Sequence, residues 1–468
     1  MGVALDDRDR ALLAGEAGDG VRLAMKIIVR MAEIGGARRL RDITAAHIDG
    51  CLYHGRAGLD FVERLASGGA RVRVPTTLNV GSLDLLHPEL FRGDRATAEQ
   101  ARRLMDAYVG LGCEPTWTCA PYQLPRRPAF GEHVAWAESN AIVFANSVLG
   151  ARTDRYGDFM DICAAVTGRV PDAGLHLDAN RRGRVVFRLE GVDPRLLEED
   201  AFYPVLGHLI GRLTGPHIPV IVGLPPVPPL RRASGGDSLP GGGGLGGVPP
   251  SGGGRAAADA APGGDRPDTG GLPGIVEDRL KALGAAAASS GSVALFHAVG
   301  VTPEAPTLSD ALQGQEPDRV VAVTPALLAE ARDSLTTAGD GPLAAVSVGT
   351  PHFSIREFAA LVPLLEGVRI HPEVDFYVNT SRHVLGEVER HGWLPILEAS
   401  GVTIVTDTCT YITPIMRERR GIMMTNSAKW AYYAPGNLGV EVAFGSLEEC
   451  VRSAVAGRVV RDDGLWRA

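Results

Sequence analysis

The chain has 468 residues, 45% hydrophobic and 22% charged, values of a globular protein with room for two or three domains. Its 47 basic residues against 55 acidic ones leave a net charge of −8, which argues against nucleic acid as a partner. No apolar run approaches the ~20 residues of a membrane span, and the acidic opening MGVALDDRDRALLAGEAGDG lacks the pattern of a signal peptide. A cytoplasmic protein with no membrane partner is expected. Its 6 cysteines are too sparse for a disulfide scaffold and contain no CxxC pair, which leaves a site built from distant cysteines open.

Predicted helices span residues 7–13 and 19–34, the second with Val21, Met25, Ile28 and Met31 at helical spacing. His47 and Asp49 follow a strand entry, and Gly50 permits a tight turn. Residues 70–84 alternate as a strand and present Thr76, Thr77 and Asn79, groups that suit a ligand crevice or a plain turn. After a helix over 97–111, Cys119 precedes a proline-bearing loop that would hold a thiolate rigidly. Residues 131–152 read as a helix whose first turns carry Glu132, His133, Glu138, Ser139 and Asn140. A second helix within 157–171 holds Cys163 in a core position, and 174–191 reads as a hairpin turning at 180–183.

Residues 233–271 differ in kind. Gly, Pro, Ser and Ala dominate there, with almost no apolar anchors to offset the entropy of ordering. A flexible insertion is expected, separating an N-terminal α/β region over 1–232 from a C-terminal one over 272–468. Its glycine run is no phosphate loop, because neither GKS nor GKT follows.

Beyond it helices (275–286, 327–335, 355–365, 381–391) alternate with strands (293–299, 343–348, 375–379, 402–405), the pattern of a parallel sheet. The strand-end loops hold His297, Thr350, His352, Ser354, Asn379, Asp407, Cys409, Asn426 and Ser427. The segment VTDTCTYITPIMRERRGIMMTNSAKWAYYAPG at 405–436 concentrates this chemistry, with Lys429 just past a second apolar strand. Burying such groups unpaired would cost roughly 1–3 kcal/mol each. A ligand site is therefore expected at that edge.

The same residues carry a resemblance. GEAG (15–18), TAAHIDG (44–50), TTLNVGSLD, WTCAPYQ, GEHVAWAESNAIVFANSVLGART, YGDFMDICAAVTGRVP, GTPHFS, DTCTYI and TNSAKWAYYAPG, in this order, resemble the aconitase X family over nearly the whole chain outside the insertion. The resemblance implies an α/β fold of three aconitase-like domains with parallel-type sheets. The swivelling fourth domain is absent from this chain, so a separate small subunit is the implied partner. It implies a hydro-lyase acting on a small hydroxy acid: cis-3-hydroxy-L-proline, giving Δ1-pyrroline-2-carboxylate, or alternatively mevalonate 5-phosphate.

By the same resemblance Cys119 and Cys409 would hold an iron–sulfur cluster or a cysteine-bound iron. Lys429, with Asn426 and Ser427, suits carboxylate recognition, and Thr76, Thr77, Asn79, Ser139, Asn140, His352 and Ser354 add polar contacts. His47 oriented by Asp49, or Glu138, would handle a proton. Where relatives carry a further cysteine this chain has Thr350. The third ligand is thus open between Cys113 and His352, as are an unconventional centre and loss of the metal. Cys51, Cys163 and Cys450 read as buried small hydrophobes. A non-catalytic scaffold binding a small metabolite is the alternative from another class.

Overall fold

The computed structural model describes residues 2–225, 272, 274–339, 341–417 and 420–466. The expected insertion at 233–271 lies outside the described residues. Among these residues, no helix is long and apolar enough to cross a membrane.

Parallel sheets follow one another along the chain. In the first, Ala46–Ile48 lies between Thr76–Leu78 and Ala135–Trp136. The strand expected over 70–84 shrinks to Thr76–Leu78 because Val72 and Arg73 donate instead to Leu111 and Ala165 carbonyls at helix ends. Helices Asp19–Ile34, Arg56–Ser67, Arg95–Gly110 and Met160–Thr167 close over this sheet, burying Met25, Ile28, Leu59, Leu104 and Cys163. Met31, on the predicted stripe, stays exposed. The helix expected over 131–152 is composite. Glu132 and His133 precede the strand Ala135–Trp136, and the helix begins only at Ser139, where the Glu138 side chain accepts Ala141 N at 2.8 Å.

The second sheet runs His297–Ala298, Pro219–Val222, Val185–Leu189, Arg319–Val323, all parallel. It draws strands from both sides of the undescribed stretch. The expected hairpin at 180–183 is not formed. Asp178–Arg181 coils into a tight turn, and the buried Arg181 bonds Asn146 Oδ1 at 2.9 Å and Glu304, feeding the chain into a parallel ladder. The strand expected over 293–299 narrows to His297–Ala298. Helices Phe202–Thr214 and Gly274–Gly291 meet backbone to backbone. A Cβ on Gly207 would lie 2.1 Å from Leu283 O, so only glycine fits.

The third sheet has the order Val402–Val405, Asp375–Thr380, Leu343–Phe353, Ile422–Thr425, Glu441–Phe444, again parallel. Its central strand is buried throughout, which is why LAAVSV reads as an unbroken run without alternation. From Leu343–Phe353 the chain winds outward through two strands, then returns to the other side as Ile422–Thr425. The winding reverses between those two strands, and crevices outside such carboxyl ends are where open α/β sheets place ligands.

Candidate active site between the first and third sheets

The crossover loop after Val402–Val405 ties two sheets together. Gly81 N donates to Asp407 O at 2.8 Å, and Asp84 accepts Thr406 N at 2.8 Å and its hydroxyl at 2.9 Å. Asp407 sits at φ 60° and takes Arg382 Nε and Nη2, each at 2.6 Å. Thr410 is pinned from three sides: its amide reaches Asn379 Oδ1 at 3.0 Å, while its hydroxyl meets Ser347 Oγ at 2.7 Å and Trp430 Nε1 at 3.1 Å. Cys409, between these anchors, is 1% exposed.

Cys119 comes from the first domain. Its carbonyl accepts Asn140 Nδ2 at 2.6 Å, and its Sγ accepts the His352 amide at 3.2 Å. His352 Nε2 faces Thr408 O at 3.3 Å, and a carbonyl there demands a proton, so the lone pair lies on Nδ1, 3.2 Å from Thr118 Oγ1. Burial holds this imidazole down at about 4, neutral at ordinary pH. The donor atoms of Cys119, His352 and Cys409 all lie within 4.8 Å of one another. The Cys119 thiol bonded to it, and then burial, push the Cys409 thiol well up, a cost that a bound cation would reverse. Two thiols and an imidazole are donors that iron accepts, so the residues present fit a metal or an iron–sulfur group.

Beside the cluster Lys429 Nζ donates to Glu138 Oε1 at 2.5 Å, with both side chains buried, and approaches Ser139 Oγ at 3.4 Å. Glu138 Oε2 also takes Asn140 Nδ2 at 2.5 Å. Burial opposes its ionisation, but the Lys429 ammonium overcomes that and holds the carboxyl below its usual range. Lys429 in turn is held charged, its burial outweighed by Glu138.

His47 is fully buried, and its Nδ1 meets Thr77 Oγ1 at 2.8 Å while Nε2 has no partner. Burial lowers it to about 4. The expectation that Asp49 orients this imidazole is corrected: Thr77 does so. The Asp49 and Gly50 amides both donate to Asp161 Oδ2, at 2.8 and 3.3 Å. That turn carries the Asp49 carboxylate to Asn79 Nδ2. Burial first, then the charges of Glu138 and Asp158, push Asp49 up to about 7.

Other expected contacts are occupied by the fold. Thr76 Oγ1 closes a local turn on Val74 O at 2.8 Å. Ser354 caps the helix Ile355–Leu365 and donates to Asp278 at 2.9 Å, and Ser427 caps Ala428–Leu438 and bonds Thr350 O. Asn426 is half-buried with no side-chain partner among the described residues. Cys113 lies in the first domain's core with Cys51 and Cys163, and Cys450 in that of the third. Sequence reasoning missed Asp161 and Lys281. Lys281 Nζ reaches Glu357 and, at 3.4 Å, the His352 carbonyl. Its signal was a single cation in the otherwise apolar run LKALGAAAA.

Residues 2–179 match the aconitase X first domain, 254–333 the aconitase X second domain and 343–456 the aconitase X third domain. A cis-3-hydroxy-L-proline dehydratase of Pseudomonas aeruginosa is 45% identical over 459 residues, spanning 98% of this chain and 71% of that protein. Its namesake from Hypocrea jecorina is 39% identical, with 98% and 69% covered. The phosphomevalonate dehydratase large subunit of Methanothermobacter thermautotrophicus is 32% identical, with 96% and 98% covered. The crystal structure of Thermococcus kodakaraensis aconitase X (holo-form) superposes with a TM-score of 0.77 at 29% identity, covering 97% of this chain and 100% of that one. Matched in all three domains and by relatives along its whole length, the chain belongs to the aconitase X family.

Proposed function

We propose that this chain is the large part of a hydro-lyase that dehydrates cis-3-hydroxy-L-proline to Δ1-pyrroline-2-carboxylate. The observation that carries the reading is the buried Glu138–Lys429 pair set beside the Cys119–His352–Cys409 cluster. The substrate follows the relatives: those 45% and 39% identical bear that name, and the phosphomevalonate dehydratase stands at 32%.

In the reaction a proton leaves C2, the C3 hydroxyl leaves as water, and the resulting enamine tautomerises to the imine. No oxidant is consumed. Cys119, Cys409 and His352 would hold iron or an iron–sulfur group, which when bound supplies the Lewis acid for the departing hydroxyl. Lys429, kept charged by Glu138, binds the substrate carboxylate. Asp49, titrating near 7, takes the C2 proton. The partner is a small subunit bearing the swivelling domain. Supporting it, relatives covered over 98% and 99% of their own length are named large subunits. The proposed setting is the cytoplasm, where reducing conditions would suit the 6 free cysteines.

The test is a screen of the iron-loaded complex, prepared anaerobically, against cis-3-hydroxy-L-proline and mevalonate 5-phosphate. Turnover of the first, lost by at least ~100-fold in Lys429→Met, is expected for a charge that binds the reacting acid. Turnover of mevalonate 5-phosphate alone overturns the assignment.

A further inference from the structure

The parallel ladder of the first sheet stops at Ile48, whose carbonyl takes Asn79 N at 2.9 Å. The next two amides, on Asp49 and Gly50, lie beyond the strand, and both donate to one oxygen, Asp161 Oδ2, at 2.8 and 3.3 Å. Asp161 is the second residue of the helix Met160–Thr167, and its other oxygen takes Ile162 N at 2.6 Å. A side chain present only to cap its own helix would turn both oxygens to that helix. Here one of them serves a turn 112 positions away. Asp161 is 0% exposed, with no ammonium or guanidinium bonded to it among the described residues, and burial raises it to about 7. An amide side chain would set its own N–H groups against one of these donors, whereas a carboxylate accepts all three.

Tyr108, on the helix Arg95–Gly110, stands against the same turn. Its hydroxyl is buried with no hydrogen-bond partner among the described residues, and a Cβ on Gly50 would lie 2.6 Å from it. Only glycine leaves the turn room to settle on Asp161. The Cys51, Cys113 and Cys163 thiols also act on or feel the Asp161 carboxyl, but burial pushes each of them up, as it does the Tyr108 phenol, so all four stay neutral. The other charges acting on Asp49 are Glu138, which is paired with Lys429, and Asp158. Asp49 itself is half-buried, its carboxylate on Asn79 Nδ2, and burial is the first cause that holds it near 7. A loosened turn would open that carboxyl to water and return it toward its ordinary range.

We propose that Asp161 is a positioning residue for the dehydration: its carboxylate ties the Asp49–Gly50 turn to the helix Met160–Thr167, with Tyr108 as the stop, and so holds the Asp49 carboxyl at Asn79. The inference rests on the lyase reading above, with Asp49 as its base, and adds two residues that act only through Asp49.

The experiment follows kcat/KM of the iron-loaded complex against pH. Asp161→Ala strips the turn of its acceptor, and Gly50→Ala drives a methyl into Tyr108 Oη. In both, kcat should fall at least ~30-fold with KM within about threefold, and the limb should move down from about 7 by at least about one pH unit. Two changes should return the limb to within about half a pH unit of the wild type. One is Asp161→Asn in place of alanine, which keeps an oxygen for the two amides. The other is Tyr108→Phe added to Gly50→Ala, which removes the obstructing oxygen and carries the test should Asp161→Ala not fold. Iron content should match the wild type throughout. A limb fixed near 7 in the alanine variants, whatever rate or stability they lose, would overturn the positioning role, and so would failure of both rescues. Infrared titration of the carboxyl band that Asp49→Asn removes reads the same shift without turnover. A band that moves in a complex dehydrating no hydroxy acid supports the clamp while refuting the activity. A limb that survives Asp49→Asn overturns base and clamp together.

Discussion

Glu138 and Lys429 lie 291 positions apart, yet neither is tolerable in its place without the other. Replacing one partner of a buried pair leaves an uncompensated charge and costs about 3–5 kcal/mol. Glu138→Gln should therefore lower the chemical denaturation midpoint strongly, and adding Lys429→Met should recover a large part of the loss. Independent, additive losses in the double variant would show that the pair does not hold this region together. Cys119 and Cys409 differ from the remaining cysteines in what surrounds them. Cys119→Ser and Cys409→Ser should each lose bound iron and visible absorbance, because serine offers a harder, poorly ionised ligand. Cys163→Ser and Cys450→Ser, in apolar cores, should keep both at a modest stability cost. Equal iron in all four, by elemental analysis, would remove the cluster from the argument. Asp49, as the proposed base, should set a pH limb. As a base it works when deprotonated, so kcat/KM should rise as pH passes through about 7 and flatten above it. Asp49→Asn should lose that limb together with most of the rate.

At the scale of elements, a chain of rings joins three segments of the first domain. Arg41 Nη1, from Leu40–Asp42, lies 3.0 Å from His133 Nε2. The guanidinium can only donate, so His133 Nδ1 carries the proton shared with His176 Nδ1 at 2.9 Å, and His176 Nε2–H is left to bond Tyr156 Oη. Burial, then the neighbouring His133, holds His176 down to about 3. The unfolded chain takes that proton near 6.5, so the contribution is complete above 6.5 and is lost as pH falls toward the folded value. At pH 5 the loss from His176 alone is roughly 2 kcal/mol. Melting temperatures measured from pH 7 to 5 should fall less steeply for His176→Asn than for the wild type. Parallel curves would show that the imidazole is already protonated in the fold. None of this was legible in the sequence, where His133 and His176 sit 43 positions apart and only the first was noticed. Four strands of the third sheet were legible because each is an apolar run followed by hydroxyl, amide or thiol groups, and those ends carry His352 and Cys409; the edge strand Glu441–Phe444 went unread. The first sheet was blurred. Its strands are only two or three residues long, too short for alternation to register, and the second sheet's entry was mistaken for a hairpin because Asn180 and Gly183 mimic one. The helix Phe202–Thr214 went unread, and nothing in the sequence told that its glycines meet the backbone of Gly274–Gly291.

At the scale of the molecule, the three domains bring their parts to one place without any of them containing a site alone. The first supplies Cys119, His47, Asp49 and Glu138, the second presses Lys281 onto the His352 carbonyl, and the third provides Cys409 and Lys429. Such a site needs the domains held rigidly, and the loop contacts of Asp84 and Gly81 with Thr406 and Asp407 do that between first and third. Elimination through a carbanion-like transition state is suppressed when solvent competes for the charges that stabilise it, so the proposed dehydration gains from an element that seals the site. We expect that element to be the swivelling domain of the small subunit. The test is the isolated chain, iron-loaded and without its partner. It should turn over cis-3-hydroxy-L-proline at least ~100-fold more slowly, and titrating in the small subunit should restore kcat with little change in KM. Full turnover by the isolated chain would mean that closure comes from within it. A small subunit that lowers KM without raising kcat would mean that the partner builds the substrate site rather than sealing it.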